Sequence, residues 1–253
     1  MTDARIKTEL VRYARALYQR GWVANHDGNV SVRVGPDRIW ATPTAVSKED
    51  VTEDGLVLLD IEGRQLEGTR KVFSEINLHL AAYRARDDVK AVVHAHPPVS
   101  TAFACAGVPL PAAMMPEAVV SLGATIPTVP YASPGPGAAA ALLAFTATHD
   151  AMLLDRHGVL AFGRDVEQAY LRMELVEHYA RIAQVAMSLG ALRPLPAADV
   201  EALLAARAKA GLGPQAATPS GRAQPAAVAL AAVDQVVLLR LVTEEVTRAL
   251  RGG

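Results

Sequence analysis

Ala91-Val92-Val93-His94-Ala95-His96-Pro97-Pro98 reads as a strand with two histidines at its end, stopped at once by two prolines. Side chains two apart on a strand share a face, with Cα atoms about 6.5–7 Å apart, so His94 and His96 can lean onto one ion. Bonds of roughly 2.0–2.1 Å suit imidazole ligands. The ordinary alternative is two partly buried histidines with hydrogen bonds of their own, and the pair alone leaves that alternative open. The prolines place the pair at a strand terminus, where α/β sheets present their ligands. A catalytic ion needs a third protein ligand while keeping open positions for substrate. His157, between Leu153-Leu154-Asp155-Arg156 and Gly158, sits at a second strand end and is the candidate, with a turn histidine as the competing reading. His26, His79, His149 and His178 fall in a turn, mid-helix or at helix ends and faces, and are set aside.

Working outward, Thr2 can cap a helix through Ile6, Leu10, Tyr13, Ala14 and Leu17, apolar at steps of three and four and ending near Gly21. Turn formers fill Asn25-His26-Asp27-Gly28-Asn29. The alternating Val30-Ser31-Val32-Arg33-Val34, the turn Gly35-Pro36-Asp37 and Ile39-Trp40-Ala41 then predict a β-hairpin. A strand over 57–61 and a helix from Ser74 to about Arg86 lead into the histidine strand. After it come a short helix over 99–107, a short strand over 127–131 and an Ala/Leu helix over 137–148 entered from Gly135-Pro136-Gly137. A buried strand over 151–155 pairs with 159–162, and helices over 165–189 and 197–210 follow. The elements alternate, so the class is α/β. The organisation is a catalytic domain over 1–212, a Pro/Gly/Ala linker over 213–227 and a C-terminal helix over 228–253, with Leu230, Val233, Val237, Leu238, Leu241 and Val242 at helical spacing.

Composition narrows the function. The 253 residues carry 25 Lys+Arg against 26 Asp+Glu, and no basic run would follow a nucleic-acid backbone or an anionic bilayer. Neither nucleic acid nor membrane is expected as a partner. The charged N-terminus lacks the apolar core of a signal peptide, which predicts a cytoplasmic protein. Cys105 is the single cysteine, so any metal relies on His, Asp or Glu.

Ser74-Glu75 opens a predicted helix. Ser74 is a natural N-cap and a carboxylate in the first turn suits the helix dipole, so a structural role is sufficient for both. The free N–H groups of that turn could equally hold an anion, with Glu75 as a base beside the metal. Taken together, Gly28-Asn29-Val30-Ser31, Thr42-Pro43-Thr44, Ser74-Glu75, Ala91-Val92-Val93-His94-Ala95-His96 and His157-Gly158 resemble the class II aldolase/adducin superfamily over about residues 5–212. The resemblance implies a three-layer α/β/α sandwich around a mostly antiparallel sheet and a homotetramer with sites at subunit contacts. It implies one divalent ion on His94, His96 and His157, Zn2+ first and Mn2+ or Co2+ as alternatives. Glu75 matches the catalytic acid/base, and Asn29, Thr44 and Ser74 match phosphate-site positions. The activity implied is aldol cleavage of a small ketose or hydroxy-ketone, phosphorylated or not, through an enediolate whose charge the ion stabilises.

The chain departs from the family at four places. Ala45 stands where the family has glycine, and Phe73 where it has the first of two serines. Met114-Met115 and Ala210 stand where the family carries tyrosines, one of them its proton donor. Glu117 is a candidate substitute acid, with a solvated or helix-cap carboxylate as its ordinary reading. These departures bring in two alternatives: decarboxylase, dehydratase or 4-epimerase chemistry on the same site, and a non-catalytic adducin-like module.

Overall fold

A computed structural model describes residues 2–132 and 136–214. By its internal contacts the chain divides into a unit over Met1–Ala216 and a second over Ala217–Gly253. Residues 133–135 and everything from residue 215 onward, including most of the expected linker over 213–227 and the expected C-terminal helix over 228–253, lie outside the described residues.

Helix α1 (Asp3–Gln19) starts where Thr2 accepts from the Arg5 N–H, and it buries Ile6, Leu10, Val11, Tyr13, Ala14 and Leu17 on one face. Strands β1 (Asn29–Gly35) and β2 (Arg38–Ala41) form the expected hairpin. Strands β3 (Val57–Leu59) and β4 (Gln65–Glu67) follow, then helix α2 (Ile76–Ala85) and the histidine strand β5 (Ala91–Ala95). Helices α3 (Pro98–Ala106) and α4 (Pro116–Leu122) precede β6 (Thr128–Val129) and α5 (Pro136–Thr146). The hairpin β7 (Ala151–Leu154) and β8 (Gly158–Gly163), α6 (Val166–Ser188) and α7 (Ala197–Lys209) complete the order.

The eight strands lie in the order β4-β3-β2-β1-β5-β8-β7-β6. Every pairing is antiparallel except that of β6 with β7. Successive side chains of a strand point to opposite faces, and the core divides accordingly. Val30, Val32, Trp40, Leu58, Val93, Leu153 and Ala161 pack with α1, α3 and α6. Ile39, Val57, Leu59, Val92, Met152, Leu160 and Phe162 pack with α2 and α5. This is the expected three-layer sandwich around a mostly antiparallel sheet.

Two local expectations are corrected. Ser74 does not cap α2: the first helical residue is Ile76, and Glu75 occupies the cap position without a side-chain cap hydrogen bond. Strand β4 was not foreseen, because Gln65-Leu66-Glu67 is exposed throughout and carries no apolar alternation to signal it.

Candidate functional site

The pairing of β1 with β5 sets Asn29 opposite His94, and that of β5 with β8 brings the turn carrying His157 to the same end of the sheet. The three histidines meet there, with one ring nitrogen from each lying within 4.8 Å of the others. His94 is fully buried. Its Nδ1–H donates to the Val159 carbonyl at 2.9 Å, which leaves Nε2 as a lone pair turned toward the cluster. The His94 and His96 Nε2 atoms are 3.2 Å apart. Two ligands on one tetrahedral ion, at the usual bond lengths, would stand about 3.3 Å apart. The donor set therefore fits a borderline-soft divalent ion, and these three residues could hold one.

Backbone chemistry clamps the rings. The His96 N–H donates to the Trp22 carbonyl at 2.9 Å, and its Nδ1 faces Asp27 Oδ2 at 3.6 Å. At Gly158 a Cβ would stand 2.5 Å from His96 Cδ2 and 2.6 Å from the Ala95 carbonyl oxygen, so only glycine fits beneath the cluster. Beyond the prolines, Glu177 of α6 accepts from the Val99 and Ser100 N–H groups at 3.2 and 2.9 Å and pins the start of α3.

Glu75 closes the cluster. Its Oε1 is 2.9 Å from His157 Nε2, its Oε2 is 3.5 Å from His94 Nε2, and Asn29 Nδ2 donates to Oε2 at 2.9 Å. Burial pushes its pKa up. The His157 hydrogen bond, the His94 and His157 charges and the Asn29 hydrogen bond outweigh burial and hold the carboxyl well below its ordinary range. Burial, reinforced by the neighbouring His96 and His157 and opposed by Glu75, takes the His94 pKa down to about 4, so the ring is neutral and able to ligate at physiological pH. Side-chain exposure rises from 0% at His94 to 21% at Glu75, 26% at His96 and 36% at His157, so the cluster opens to solvent past His157 and His96.

The residues expected to form an anion site are partly gathered. Pro43 bridges Val72 and the Thr44 N–H donates to the Lys71 carbonyl at 2.9 Å, which lays the 42–45 turn beside the segment leading to Ser74. Ala45 adopts φ +55°, so the turn keeps the left-handed conformation that glycine would supply. Ser74 is exposed and lines a cavity with Glu75 and His157. The Asn29 amide is engaged by Glu75, while its Oδ1 is buried without a partner among the described residues. His79 lies beneath the site in α2, fully buried, with Nδ1 2.7 Å from Ser31 Oγ, and burial depresses its pKa to about 3. Glu117 sits exposed in the first turn of α4, as a helix-start carboxylate does. Asp27, Glu177 and the Val159 and Trp22 carbonyls were missed. Asp27 stood in a run of turn formers and Glu177 on a helix face, and neither context signals a partner.

The sequence profile described as "Class II Aldolase and Adducin N-terminal domain" matches residues 8–184. The chain belongs to the class II aldolase and adducin family. An L-fuculose phosphate aldolase of Methanococcus maripaludis is 31% identical to this family member over 184 residues, covering 72% of this chain and 98% of the relative. A 3-oxo-tetronate 4-phosphate decarboxylase of Haemophilus influenzae is 34% identical over 187 residues, covering 72% and 88%. Among solved class II aldolase structures, an L-fuculose 1-phosphate aldolase superimposes with a TM-score of 0.75 at 29% identity, covering 81% of this chain and 97% of that one. The named activities differ in reaction, and both belong to lyases.

Proposed function

We propose that this chain is a divalent-metal-dependent lyase that cleaves a carbon–carbon bond of a small ketose or hydroxy-ketone, by aldol cleavage. His94, His96 and His157 are its metal ligands and Glu75 its acid/base. The observation that carries the reading is the Glu75 carboxylate set between His157 and His94 on the open side of the histidine cluster. When bound, the ion, Zn2+ in this reading, supplies Lewis-acid charge next to the bond that breaks. Glu75, held as a carboxylate and oriented by Asn29, accepts the proton from one end of the reaction and returns it at the other. Thr44 and Ser74 offer hydroxyls to the anionic tail of the substrate and help position the reacting carbon, whereas the Asn29 amide, expected at the same subsite, is engaged by Glu75. The assembly in this reading is a homotetramer, which would cover apolar side chains left exposed at the end of α6 and just beyond it, such as Val185, Met187 and Leu189.

Decarboxylation on the same site is the second reading. It is supported by the similarity to the Haemophilus influenzae decarboxylase and by Met114-Met115 standing where the resemblance places a tyrosine. Both readings need the ion. Exhaustive chelation should abolish activity and added Zn2+, Mn2+ or Co2+ should restore it; activity that survives chelation would overturn both. A panel of ketose phosphates and 3-keto acid phosphates, followed by aldehyde formation and by carbon dioxide release, separates them.

A further inference from the structure

Arg156, beside His157, holds φ +55°. Glycine or asparagine occupies that left-handed region at low cost, whereas a long side chain is strained there. Residues kept in such conformations cluster where a particular head group is needed. The Arg156 side chain lines a cavity of 280 Å³ with Ser74, Glu75, Tyr131, Asp155 and His157. That volume lies just below the range of drug-sized ligand pockets, about 300–1,000 Å³, and suits a small anionic group.

Among the described residues, little else occupies the guanidinium. Its Nε lies 3.9 Å from Asp155 Oδ1, beyond hydrogen-bond reach, and the side chain is 71% exposed. The guanidinium carbon stands 6.0 Å from the Tyr131 ring centre, a loose contact that takes up none of the N–H donors. Among the described residues lining the cavity, Arg156 alone brings a fixed positive charge. The other donors are depleted: Phe73 replaces one serine of the resembled pattern, and the Asn29 amide is taken by Glu75. A carboxylate or phosphate held by neutral hydroxyls alone would forgo charge-assisted bonds, and a guanidinium fork supplies two at once.

We propose that Arg156 is a specificity-determining residue that anchors an anionic group of the substrate, carboxylate or phosphate, in the cavity beside Glu75 and His157. The proposal deepens the metal-lyase reading and rests on it for the identity of the site. The probes are malate and 2-hydroxybutyrate, which share an α-hydroxycarboxylate that can chelate the ion and differ in the charge of the far end.

Calorimetry on zinc-loaded protein should find malate bound at least about tenfold tighter than 2-hydroxybutyrate. Arg156→Gln should bring the ratio close to one without changing affinity for 2-hydroxybutyrate, Arg156→Lys should keep part of it, and Ser74→Ala should keep most. A ratio near one in the wild type, one unchanged in Arg156→Gln, or one lost in Ser74→Ala alone would overturn the assignment. If the protein takes up no zinc the metal reading fails, and in that case, or if neither hydroxy acid binds, a second titration decides Arg156 independently. Inorganic phosphate added to metal-free protein should shift the Arg156 Nε–H resonance saturably, the resonance being identified by its loss in Arg156→Lys. No shift would overturn the proposal.

Discussion

Glu75 shows how far residue identity carries and where it stops. As an acid at a helix start it is unremarkable, since a first-turn carboxylate suits the dipole whatever its function. What sets it apart is the pair of imidazoles at 2.9 and 3.5 Å and the Asn29 amide on the same oxygen as His94. Glu75→Gln preserves the shape and removes the base. Turnover should fall by about 10²–10⁴-fold with zinc content unchanged by elemental analysis. Zinc lost together with activity would mark Glu75 as a ligand rather than a base. The three histidines were legible because strand periodicity puts His94 and His96 on one face, and a strand end was readable at His157. The direction of Asn29 was not, because an amide at the start of a strand has no local cue for which neighbour it meets.

At the scale of elements, the site is held by segments that bring carbonyls and close contacts to it. Lys48, in the short 3-10 turn Lys48–Asp50, is buried, and its ammonium donates to the His26 and Val46 carbonyls at 3.1 Å each. It thereby ties the Asp27 loop to the Thr44–Ala45 turn. Burial lowers its pKa from 10.5 to about 8, with Asp27 pulling the other way. Between those two pH values the unfolded chain binds the proton and the folded chain does not, so this residue's contribution to stability rises with pH. The stability difference between wild type and Lys48→Met, from denaturant melts, should therefore grow in favour of wild type from pH 8 to 10.5. A flat difference would contradict the assignment. At the β7–β8 turn, Gly158→Ala would drive a Cβ into His96 and the Ala95 carbonyl. Zinc affinity should drop at least about tenfold, because second-sphere disturbance of ligand orientation has effects of that order. An unchanged zinc dissociation constant would show that the turn yields. The glycine after His157 was visible in the sequence; that its neighbour would be the His96 ring depended on strand pairing.

For the whole molecule, a buried charge cluster lies away from the histidines. Asp150, at the start of β7 and fully buried, meets Arg86, Arg172 and Arg207 at 2.9, 2.9 and 2.6 Å, joining the end of α2 to α6 and α7. Asp150→Asn would leave the buried Arg172 and Arg207 guanidiniums without their counter-ion, Arg86 keeping Asp88, and breaking a buried pair typically costs about 3–5 kcal/mol. Urea unfolding should show that loss, and a change below about 1 kcal/mol would mean that the arginines escape to solvent. The amino-acid sequence by itself determined the order and kind of the main elements, the capped first helix, the hairpins and the histidine set, because periodicity, turn chemistry and motif spacing act over short stretches of chain. Tertiary structure alone decided which carboxylate meets which partner: Glu75 with His157, Glu177 with the start of α3, Asp150 with three arginines. Those pairings join residues far apart in the chain, and a carboxylate in isolation reads as solvated until folding takes it out of water and puts a cation or an N–H beside it.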